Sequence, residues 1–325
     1  MSSVPSKPVG VLCAGSIVQD TIIGPCNQLQ WGTTTLVDTM DRHLGGNGAN
    51  TARALAILGN SVRLLGTVGN DDAAQFAIAE LRASGVDTEH LVRVGRPNAA
   101  TAVLVNATGD RQFLHRLGSS HDSFTELPDF TSLIVHGMQH FHLASFFVLP
   151  NLRSKATHIL RRAKTAGLTT SLDVNWDPRG EWMNALQPCL SFVDLLFVNE
   201  DESRMLAGTS VTSAAAAHLQ QCGAAVVVQK LGREGCAIYS AKAGEVRCPP
   251  FDVTAVDTTG AGDCFAAGFL SAHLRGHNFA QAGEWGNAAG ALSVGKFGAV
   301  AGLLGGVDFE AWRNSAPRRL EQPRS

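Results

Sequence analysis

Residues 257–263 read DTTGAGD, and they run directly into the apolar stretch CFAAGFL at 264–270. The small residues let a ligand approach the backbone closely, and the apolar stretch after them predicts a helix. The first N–H groups of a helix have no acceptor within the helix and lie at the positive end of its dipole. The segment therefore predicts an anion-binding turn. Asp263 is a candidate general base beside that turn, because a carboxylate repels a phosphate rather than holding it.

An ordinary helix start is the alternative for this segment, since aspartate is common in the first turn of a helix. A second glycine turn, LGGNGANTA at 44–52, also opens a predicted helix. A tight turn explains its glycines, but it does not explain Asn47 and Asn50 facing them. Two such turns in one chain favour a binding site over two plain helix starts.

Strand-like and helix-like stretches alternate along most of the chain. This alternation predicts an α/β fold with a parallel sheet covered by helices on both faces. Residues 21–44 and 101–115 break the rhythm, because they contain alternating strands with no helix between them. We expect them to form a small separate β-sheet, a lid on a single domain spanning 1–325, and we expect 314–325 to be a loose tail.

The composition narrows the class of protein. With 325 residues, of which 45% are hydrophobic and 17% charged, the chain resembles an ordinary globular protein. A formal net charge of -2 gives no basic excess for a nucleic-acid partner. The seven cysteines are scattered without a CxxC pair, which argues against a disulfide framework and a structural zinc site. No signal-peptide pattern and no run of 18 apolar residues occurs, so we expect a cytoplasmic protein that does not enter a membrane.

Five short motifs occur in a fixed order along the chain. They are GGNGAN at 45–50, GTVGND at 66–71, NEDE at 199–202, KLGREG at 230–235 and DTTGAGD at 257–263. In this order they resemble the ribokinase (PfkB) family of carbohydrate kinases, over roughly residues 9 to 300. The resemblance implies a ribokinase-like three-layer α/β/α sandwich with a mostly parallel central sheet and a small β-sheet lid. It also implies transfer of the γ-phosphate of ATP to a sugar hydroxyl, with Mg²⁺ as a cofactor.

The resemblance also assigns roles to residues at matching positions. The catalytic positions are the base Asp263 and the backbone N–H groups of Gly260, Ala261 and Gly262, which hold the transferring phosphoryl group. The positions that bind the acceptor sugar are Asp20, Gly46 and Asn50. Arg179 is a further candidate for contacting the substrate, although Asp177 stands where related kinases have this arginine. For Asp20, a plain turn at a strand end is the alternative.

The same resemblance places the nucleotide and the cations. The nucleotide positions are Asn199, Lys230, Gly232, Gly235 and Asn287. Glu202, in the family's Asn-x-x-Glu motif, is implied to organise Mg²⁺ through water, and Asp257 matches an aspartate that holds a monovalent cation such as K⁺ in many members. The alternatives are a plain helix start for Asn199 and Glu202, an exposed strand end for Lys230 and a surface position for Asn287.

The acceptor stays open among sugars and sugar acids of the fructose, ribose and 2-keto-3-deoxygluconate types. Ribokinases usually have lysine where Asn47 stands and a second asparagine near Val18, and both differences weaken a ribose assignment. A nucleoside kinase of the same family and a catalytically silent sugar- or nucleotide-binding protein are the alternatives. The intact Asp263 and glycine turn favour an enzyme, because a pure binding protein needs no base. The lid is also a candidate surface for pairing with a second copy in a homodimer.

Overall fold

Strands and helices alternate along most of the chain, as the sequence pattern predicts. The computed structural model describes residues 8–134, 137–304 and 306–319. The strands are β1 Gly10–Ala14, β2 Val18–Gly24, β3 Thr39–Gly45, β4 Ser61–Val68, β5 Val86–Asp87, β6 Leu91–Arg93, β7 Ala99–Val105, β8 Arg111–Arg116, β9 Met138–Leu143, β10 Thr169–Asp173, β11 Leu195–Asn199, β12 Val226–Lys230, β13 Cys236–Ser240 and β14 Gly244–Cys248. The helices are α1 Asn47–Ile57, α2 Asp72–Ala83, α3 Phe130–Ile134, α4 Pro150–Thr165, α5 Met183–Leu190, α6 Glu200–Ala207, α7 Thr212–Gln221, α8 Ala261–His273, α9 Phe279–Ser293, α10 Ala301–Leu304 and α11 Phe309–Ser315, with 3₁₀ turns at Gly118–Asp122 and Gly232–Glu234.

The central sheet has the strand order β14-β13-β12-β11-β10-β9-β1-β4-β5, and β6 also pairs with β4. From β12 to β5 all neighbouring strands are parallel, which confirms the predicted sheet. At one edge, β13 and β14 add an antiparallel hairpin that the sequence did not reveal. All five residues of β13 are buried, so the strand lacks the alternation of apolar and polar residues that marks a half-exposed strand.

Helices cover both faces of the central sheet. Successive side chains of a strand point to opposite faces. Accordingly, Val11 and Cys13 of β1 belong to a buried cluster with residues of α1, α2, α8 and α9, whereas Leu12 and Ala14 belong to a cluster with residues of α4, α5, α6 and α7. The result is the predicted three-layer α/β/α sandwich. No helix in the described residues is long and apolar enough to cross a membrane.

A second sheet of four strands, in the order β3-β2-β7-β8, forms the lid. Strands β2 and β3 are antiparallel, β2 and β7 are parallel, and β7 and β8 are antiparallel. The separate small sheet was predicted, but its strands begin earlier than expected, at Val18 and Ala99. Residues 25–38 carry no strand. Pro25 explains where β2 ends, because proline has no N–H to donate to a strand ladder.

The end of β1 and the start of α1 touch through two glycines. A Cβ added to Gly48 would lie 2.6 Å from the backbone of Gly15, and one added to Gly15 would lie 2.8 Å from the Cα of Gly48. Ser16 secures the contact, because its Oγ accepts the N–H of Asn47 at 3.1 Å and its carbonyl accepts the N–H of Ala49 at 3.1 Å. Only glycine allows this approach, and it brings the first turn of α1 to the edge where the parallel strands end.

The described end of the chain, residues 314–319, differs from the prediction. They were expected to begin a loose tail, but they lie along the segment that follows β14. Arg318 donates to Glu284 Oε1 at 2.9 Å and covers the ring of Phe251 at 4.1 Å, and the N–H of Arg319 bonds to the carbonyl of Pro250 at 3.2 Å. The prolines and arginines of 314–325 suggested a loose tail, but an ion pair and a cation–π contact hold Arg318 in place. The rest of the expected tail, 320–325, lies outside the described residues.

Candidate active site

The candidate site lies where the parallel strands of the central sheet end. Asp173 ends β10, Asn199 ends β11, Lys230 ends β12, and α8 begins nearby at Ala261. The N–H of Ala261 bonds to the carbonyl of Thr258 at 3.3 Å, which closes the glycine turn. Crevices at the carboxyl ends of parallel strands are where open α/β sheets bind ligands. The fold therefore gathers the sequence motifs at one edge of the sheet.

Asp263 is buried and held by two asparagines from α1. Its Oδ1 accepts a hydrogen bond from Asn47 Nδ2 at 2.9 Å, and its Oδ2 accepts one from Asn50 Nδ2 at 2.9 Å. Burial raises the pKa of Asp263 to about 6, with help from the charge of Asp173 and against the effect of the two amides and Lys230. A carboxylate with such a pKa is still mostly ionised at neutral pH and accepts a proton more readily than an ordinary one. Asp263 has the environment of a general base.

The turn before α8 depends on glycine. Gly260 has a φ of 71°, in the left-handed region, and a Cβ added there would lie 2.5 Å from the Cβ of Ala299. A Cβ added to Gly262 would lie 3.2 Å from Lys230 Nζ, so the lysine ammonium sits directly against the turn. The N–H groups of the first helical turn have no acceptor within the helix. The turn thus brings backbone donors and an ammonium group together, and the binding of an anion there stays a prediction.

Lys230 lies among carboxyl groups rather than at an exposed strand end. Its Nζ donates to Asp173 Oδ2 at 2.6 Å, and its side chain is mostly buried. Burial raises the pKa of Glu202 to about 7, although Lys230 opposes the shift. Burial works to lower the pKa of Lys230, but the carboxyl groups of Asp173, Glu202 and Asp263 outweigh it and bring the pKa above its usual value. The lysine therefore stays charged where a phosphate would arrive.

Asn199 and Glu202 hold each other. Glu202 Oε2 accepts the N–H of Asn199 at 2.8 Å, and Asn199 Oδ1 accepts the N–H of Glu202 at 2.8 Å. This reciprocal pair is a capping box, so the plain helix start considered from the sequence is present at these two residues. Within residues 8–134, 137–304 and 306–319, no group of three or more His, Cys, Asp or Glu could hold a metal ion. A sparse set of carboxylates suits Mg²⁺, which usually keeps several of its waters.

A cavity of about 180 Å³ opens between the lid and the end of β1. Its lining residues are Ser16, Val18, Asp20, Gly46, Asn47, Thr101, Phe113, His115, Ser120 and Val148. Burial raises the pKa of Asp20 to about 6, and a hydrogen bond from Thr101 opposes this shift. A Cβ added to Gly45 would overlap the Asp20 carboxylate, and one added to Gly46 would lie 2.6 Å from the carbonyl oxygen of Ser16. The glycine pair therefore leaves room for the half-buried Asp20 carboxylate in the cavity.

Two predicted acceptor residues are not among those that line the cavity. Asn50 bonds to Asp263, and its contact with the acceptor stays a prediction. Arg179 is exposed and is not among the lining residues. The residue in the expected arginine position, Asp177, accepts hydrogen bonds from the Arg153 guanidinium and from the N–H of Trp182 at 2.7 Å. In this chain the bonds of Asp177 hold the loop in place. Arg179 lies on the surface of that loop, outside the set of residues that line the cavity.

The predicted nucleotide residues after β12 differ from one another. Asn287 is buried, not on the surface, and its Nδ2 donates to the carbonyls of Cys248 and Pro249 at 3.0 Å each. Gly235 has a φ of 85°, and a Cβ there would overlap the carbonyl oxygen of Cys248. Gly232, with a φ of 54°, faces open space. Gly235 and Asn287 thus shape this edge of the site, and direct contact of all three with nucleotide stays a prediction.

Asp257 lies under the glycine turn with its side chain fully buried. Its Oδ1 accepts the N–H of Thr259 at 2.8 Å and the Nη1 of Arg111 at 2.8 Å, while its Oδ2 accepts the N–H of Gly298 at 2.9 Å. Burial alone would raise the pKa of Asp257, but these hydrogen bonds bring it below its usual value. The carboxylate that the resemblance assigned to a monovalent cation therefore already has a guanidinium partner, which comes from the lid.

Three residues of the site were missed from the sequence. Asn47 was noted beside the first glycine turn and as a departure from the family pattern, but not as a partner of the base, although its spacing of three from Asn50 puts both amides on one face of α1. Asp173 begins the stretch in which related kinases carry the arginine discussed above, but it was given no role of its own. Arg111 was hidden in a lid strand, although alternation along β8 places it on the same face as Phe113.

Comparison with known proteins identifies the family. The pfkB family carbohydrate kinase model matches residues 10–304, so the chain belongs to that family and is a carbohydrate kinase. The ATP-dependent ribose-1-phosphate kinase of Halopiger xanaduensis is 33% identical, with 78% of this chain and 81% of the relative covered. The 2-dehydro-3-deoxygluconokinase of Bacillus subtilis is 28% identical, with 84% and 87% covered. The solved ribokinase of Thermotoga maritima is 26% identical, with a TM-score of 0.79 over 94% of this chain and 99% of that one.

Replacing the base tests its role. In Asp263→Asn one of the two α1 amides keeps an oxygen acceptor, but the side chain no longer accepts a proton, so we expect kcat to fall by ~10²–10⁴-fold. ATP-dependent phosphorylation is measured by coupled ADP release. Asp252→Asn, at an exposed position, is the matched control and keeps wild-type kcat. Unchanged turnover in Asp263→Asn contradicts the assignment.

The pH profile tests the two raised pKa values. Asp263 and Asp20 must both be ionised, and both have a pKa of about 6, so kcat/KM falls as pH drops through this value. Below it, log kcat/KM approaches a slope of about two, since two protons bind. In Asp20→Asn the slope becomes about one. A wild-type profile that stays flat down to the ordinary carboxyl range contradicts this account.

Proposed function

We propose that the chain is an ATP-dependent kinase that transfers the γ-phosphate to a hydroxyl of a small uncharged sugar, with Asp263 as general base. The charge of the acceptor cavity carries this proposal. Among the described residues, no lysine or arginine lines the cavity, whereas Asp20 lies within it. An acidic or phosphorylated acceptor would meet this negative charge without a cation to neutralise it.

The two basic residues at the end of β8 do not change this picture. His115 lines the cavity, but burial lowers its pKa, so its imidazole is neutral at pH 7. Side chains alternate along a strand, and Arg116 therefore points to the opposite side from His115. Its Nη2 donates to the carbonyl of Asn98 at 3.0 Å. With His115 neutral and Arg116 on the opposite face, neither residue brings a positive charge to the cavity. This supports a neutral sugar over a sugar acid of the 2-keto-3-deoxygluconate type.

The size of the cavity favours a single sugar ring. Pockets for drug-sized ligands measure roughly 300–1,000 Å³, and this one has about 180 Å³. Its polar groups can bind several hydroxyls, because a carboxylate, an amide and hydroxyls offer donors and acceptors together. Val18, Phe113 and Val148 add apolar contacts for the carbon skeleton. A nucleoside, with its additional base, is the less suitable acceptor.

In the proposed reaction the acceptor hydroxyl lies between Asp20 and Asp263. Asp263 accepts the hydroxyl proton as the oxygen attacks the γ-phosphorus, and the proton remains on the carboxyl group as the bond to ADP breaks. The N–H groups of the Gly260 turn and the ammonium of Lys230 stabilise charge on the transferring phosphoryl oxygens. The lid excludes water, which limits wasteful hydrolysis of ATP.

Mg²⁺ supplies charge neutralisation to the triphosphate when it is bound. Glu202 and Asp173 are the carboxyl groups beside Lys230 that fit this ion, through its bound waters rather than by direct contact. We place the nucleotide over the Gly260 turn, beside Lys230 and Gly232. A cytoplasmic location, predicted from the sequence, belongs to the same proposal.

An acceptor panel tests the proposed function. The panel contains D-ribose and D-fructose as neutral sugars, 2-keto-3-deoxygluconate, ribose 1-phosphate and fructose 6-phosphate as anions, and adenosine as a nucleoside. We expect kcat/KM for the best neutral sugar to exceed that of every anion by ~10²-fold or more, which is on the order of one unpaired charge contact. Preference for an anion or for adenosine contradicts the acceptor class. Turnover of none of them contradicts the kinase itself.

We also propose a homodimer through the lid. Trp31, Leu36, Met40 and Leu114 are large apolar side chains that the lid strands and the β2–β3 connection expose to solvent. Exposed apolar groups clustered on one element mark interaction surfaces. Light scattering should therefore give twice the chain mass of 34.2 kDa, and Trp31→Ser with Leu36→Ser should give the monomer. Val211→Ser, exposed on the central domain, is the control, and a monomeric wild type overturns this proposal.

A further inference from the structure

We infer that Arg111 of the lid is a positioning residue, which holds the phosphate-binding turn in its binding geometry through Asp257. The inference rests on the proposed kinase function and extends it, because it makes the anion site depend on a strand of the lid. Arg111 and Asp257 lie 146 residues apart in the chain, and their contact joins the lid sheet to the turn before α8.

The first step concerns the buried carboxylate. The side chain of Asp257 is fully buried, and its oxygens accept the N–H groups of Thr259 and Gly298. Thr259 precedes Gly260, and Ala299, next to Gly298, packs against Gly260. Asp257 therefore fixes the turn from two sides.

The second step concerns the charge. A buried carboxylate needs a cationic or hydrogen-bonding partner to offset the loss of water. Arg111 donates to Asp257 Oδ1 at 2.8 Å and also to Thr259 Oγ1, with 20% of its side chain exposed. The planar guanidinium group can serve two acceptors at once, which a lysine ammonium on its flexible stem does less well. One side chain of the lid thus bonds to both residues that set the conformation before Gly260.

The third step concerns the lid. Strand β8 carries Arg111, Phe113 and His115 on one face, and the last two line the acceptor cavity. The strand that covers the sugar therefore also carries the arginine that neutralises Asp257. An acceptor that steadies β8 also steadies Arg111, so binding of sugar and of nucleotide should be coupled through this contact.

Two arginines on one strand provide a matched test. Arg111→Met removes the contact with Asp257, whereas Arg116→Met, at an exposed position on the opposite face, leaves it intact. We expect Arg111→Met to lower kcat by ~10²-fold, the order seen when a transition-state donor is misplaced, and Arg116→Met to stay within about twofold of wild type. Equal kcat values for the two variants overturn the inference.

A binding measurement separates positioning from a purely structural role. Calorimetry gives the affinity for AMP-PNP, with Mg²⁺, in the absence and presence of saturating D-ribose or D-fructose, whichever the acceptor panel favours. In wild type and Arg116→Met the sugar tightens AMP-PNP binding by about fivefold or more. In Arg111→Met this coupling is lost although the thermal unfolding curve still shows a folded protein. Retained coupling in a folded Arg111→Met overturns the inference.

A second variant covers the case in which Arg111→Met does not fold. Arg111→Lys keeps the positive charge but loses the fork, so we expect it to fold with intermediate kcat and weakened coupling. Wild-type kcat and wild-type coupling in Arg111→Lys contradict the inference. If the wild type phosphorylates no sugar in the panel, the kinase proposal fails, and the role of Arg111 is then tested by AMP-PNP affinity alone. Tighter binding of AMP-PNP by wild type and Arg116→Met than by Arg111→Met supports the inference. Equal affinities of the three proteins overturn it.

Discussion

The buried carboxylate of Asp263, held between two asparagine amides of α1, is the interaction on which the rest of the site depends. It joins the two glycine turns of the chain, since Asn47 and Asn50 follow the first turn and Asp263 follows the second. The contact of Gly15 with Gly48 brings α1 close enough for these bonds to form. Burial raises the pKa, and the amides oppose the rise, so the carboxylate stays ionised yet basic at neutral pH.

The two halves of the site differ in charge. On the nucleotide side, Lys230 and the first turn of α8 provide positive charge and backbone donors where phosphate oxygens would arrive. On the acceptor side, Asp20 and neutral polar groups line the cavity. Asp263 lies between them, where the proposed reaction needs a group that takes the proton of the acceptor. Arg111 links the halves, because it extends from the lid to the carboxylate under the phosphate turn.

The sequence predicted most of the fold and the centre of the site. Alternating strand and helix patterns predicted the three layers, and the glycine-rich turn before an apolar stretch predicted the helix that begins after Gly260 with Asp263 in its first turn; the roles of these residues stay predictions. Such patterns could not predict contacts between residues that are far apart in the sequence. The pairing of Arg111 with Asp257 depends on how the lid docks, and that of Lys230 with Asp173 depends on strand order. Arg179 was predicted to contact the substrate because related kinases have an arginine nearby in the sequence. It stands two residues after that position, which Asp177 occupies in a bond with Arg153, and Arg179 lies on the surface.

The central claim is that Asp263 takes the proton from a sugar hydroxyl in front of the Gly260 turn. The most direct measurement is a crystal structure with AMP-PNP, Mg²⁺ and the best neutral sugar of the acceptor panel. The account predicts one sugar hydroxyl at ~2.6–3.2 Å from an Asp263 carboxylate oxygen and the γ-phosphate against the N–H groups of the Gly260 turn. A sugar bound in the cavity with no hydroxyl near Asp263, or a γ-phosphate held away from that turn, would contradict it.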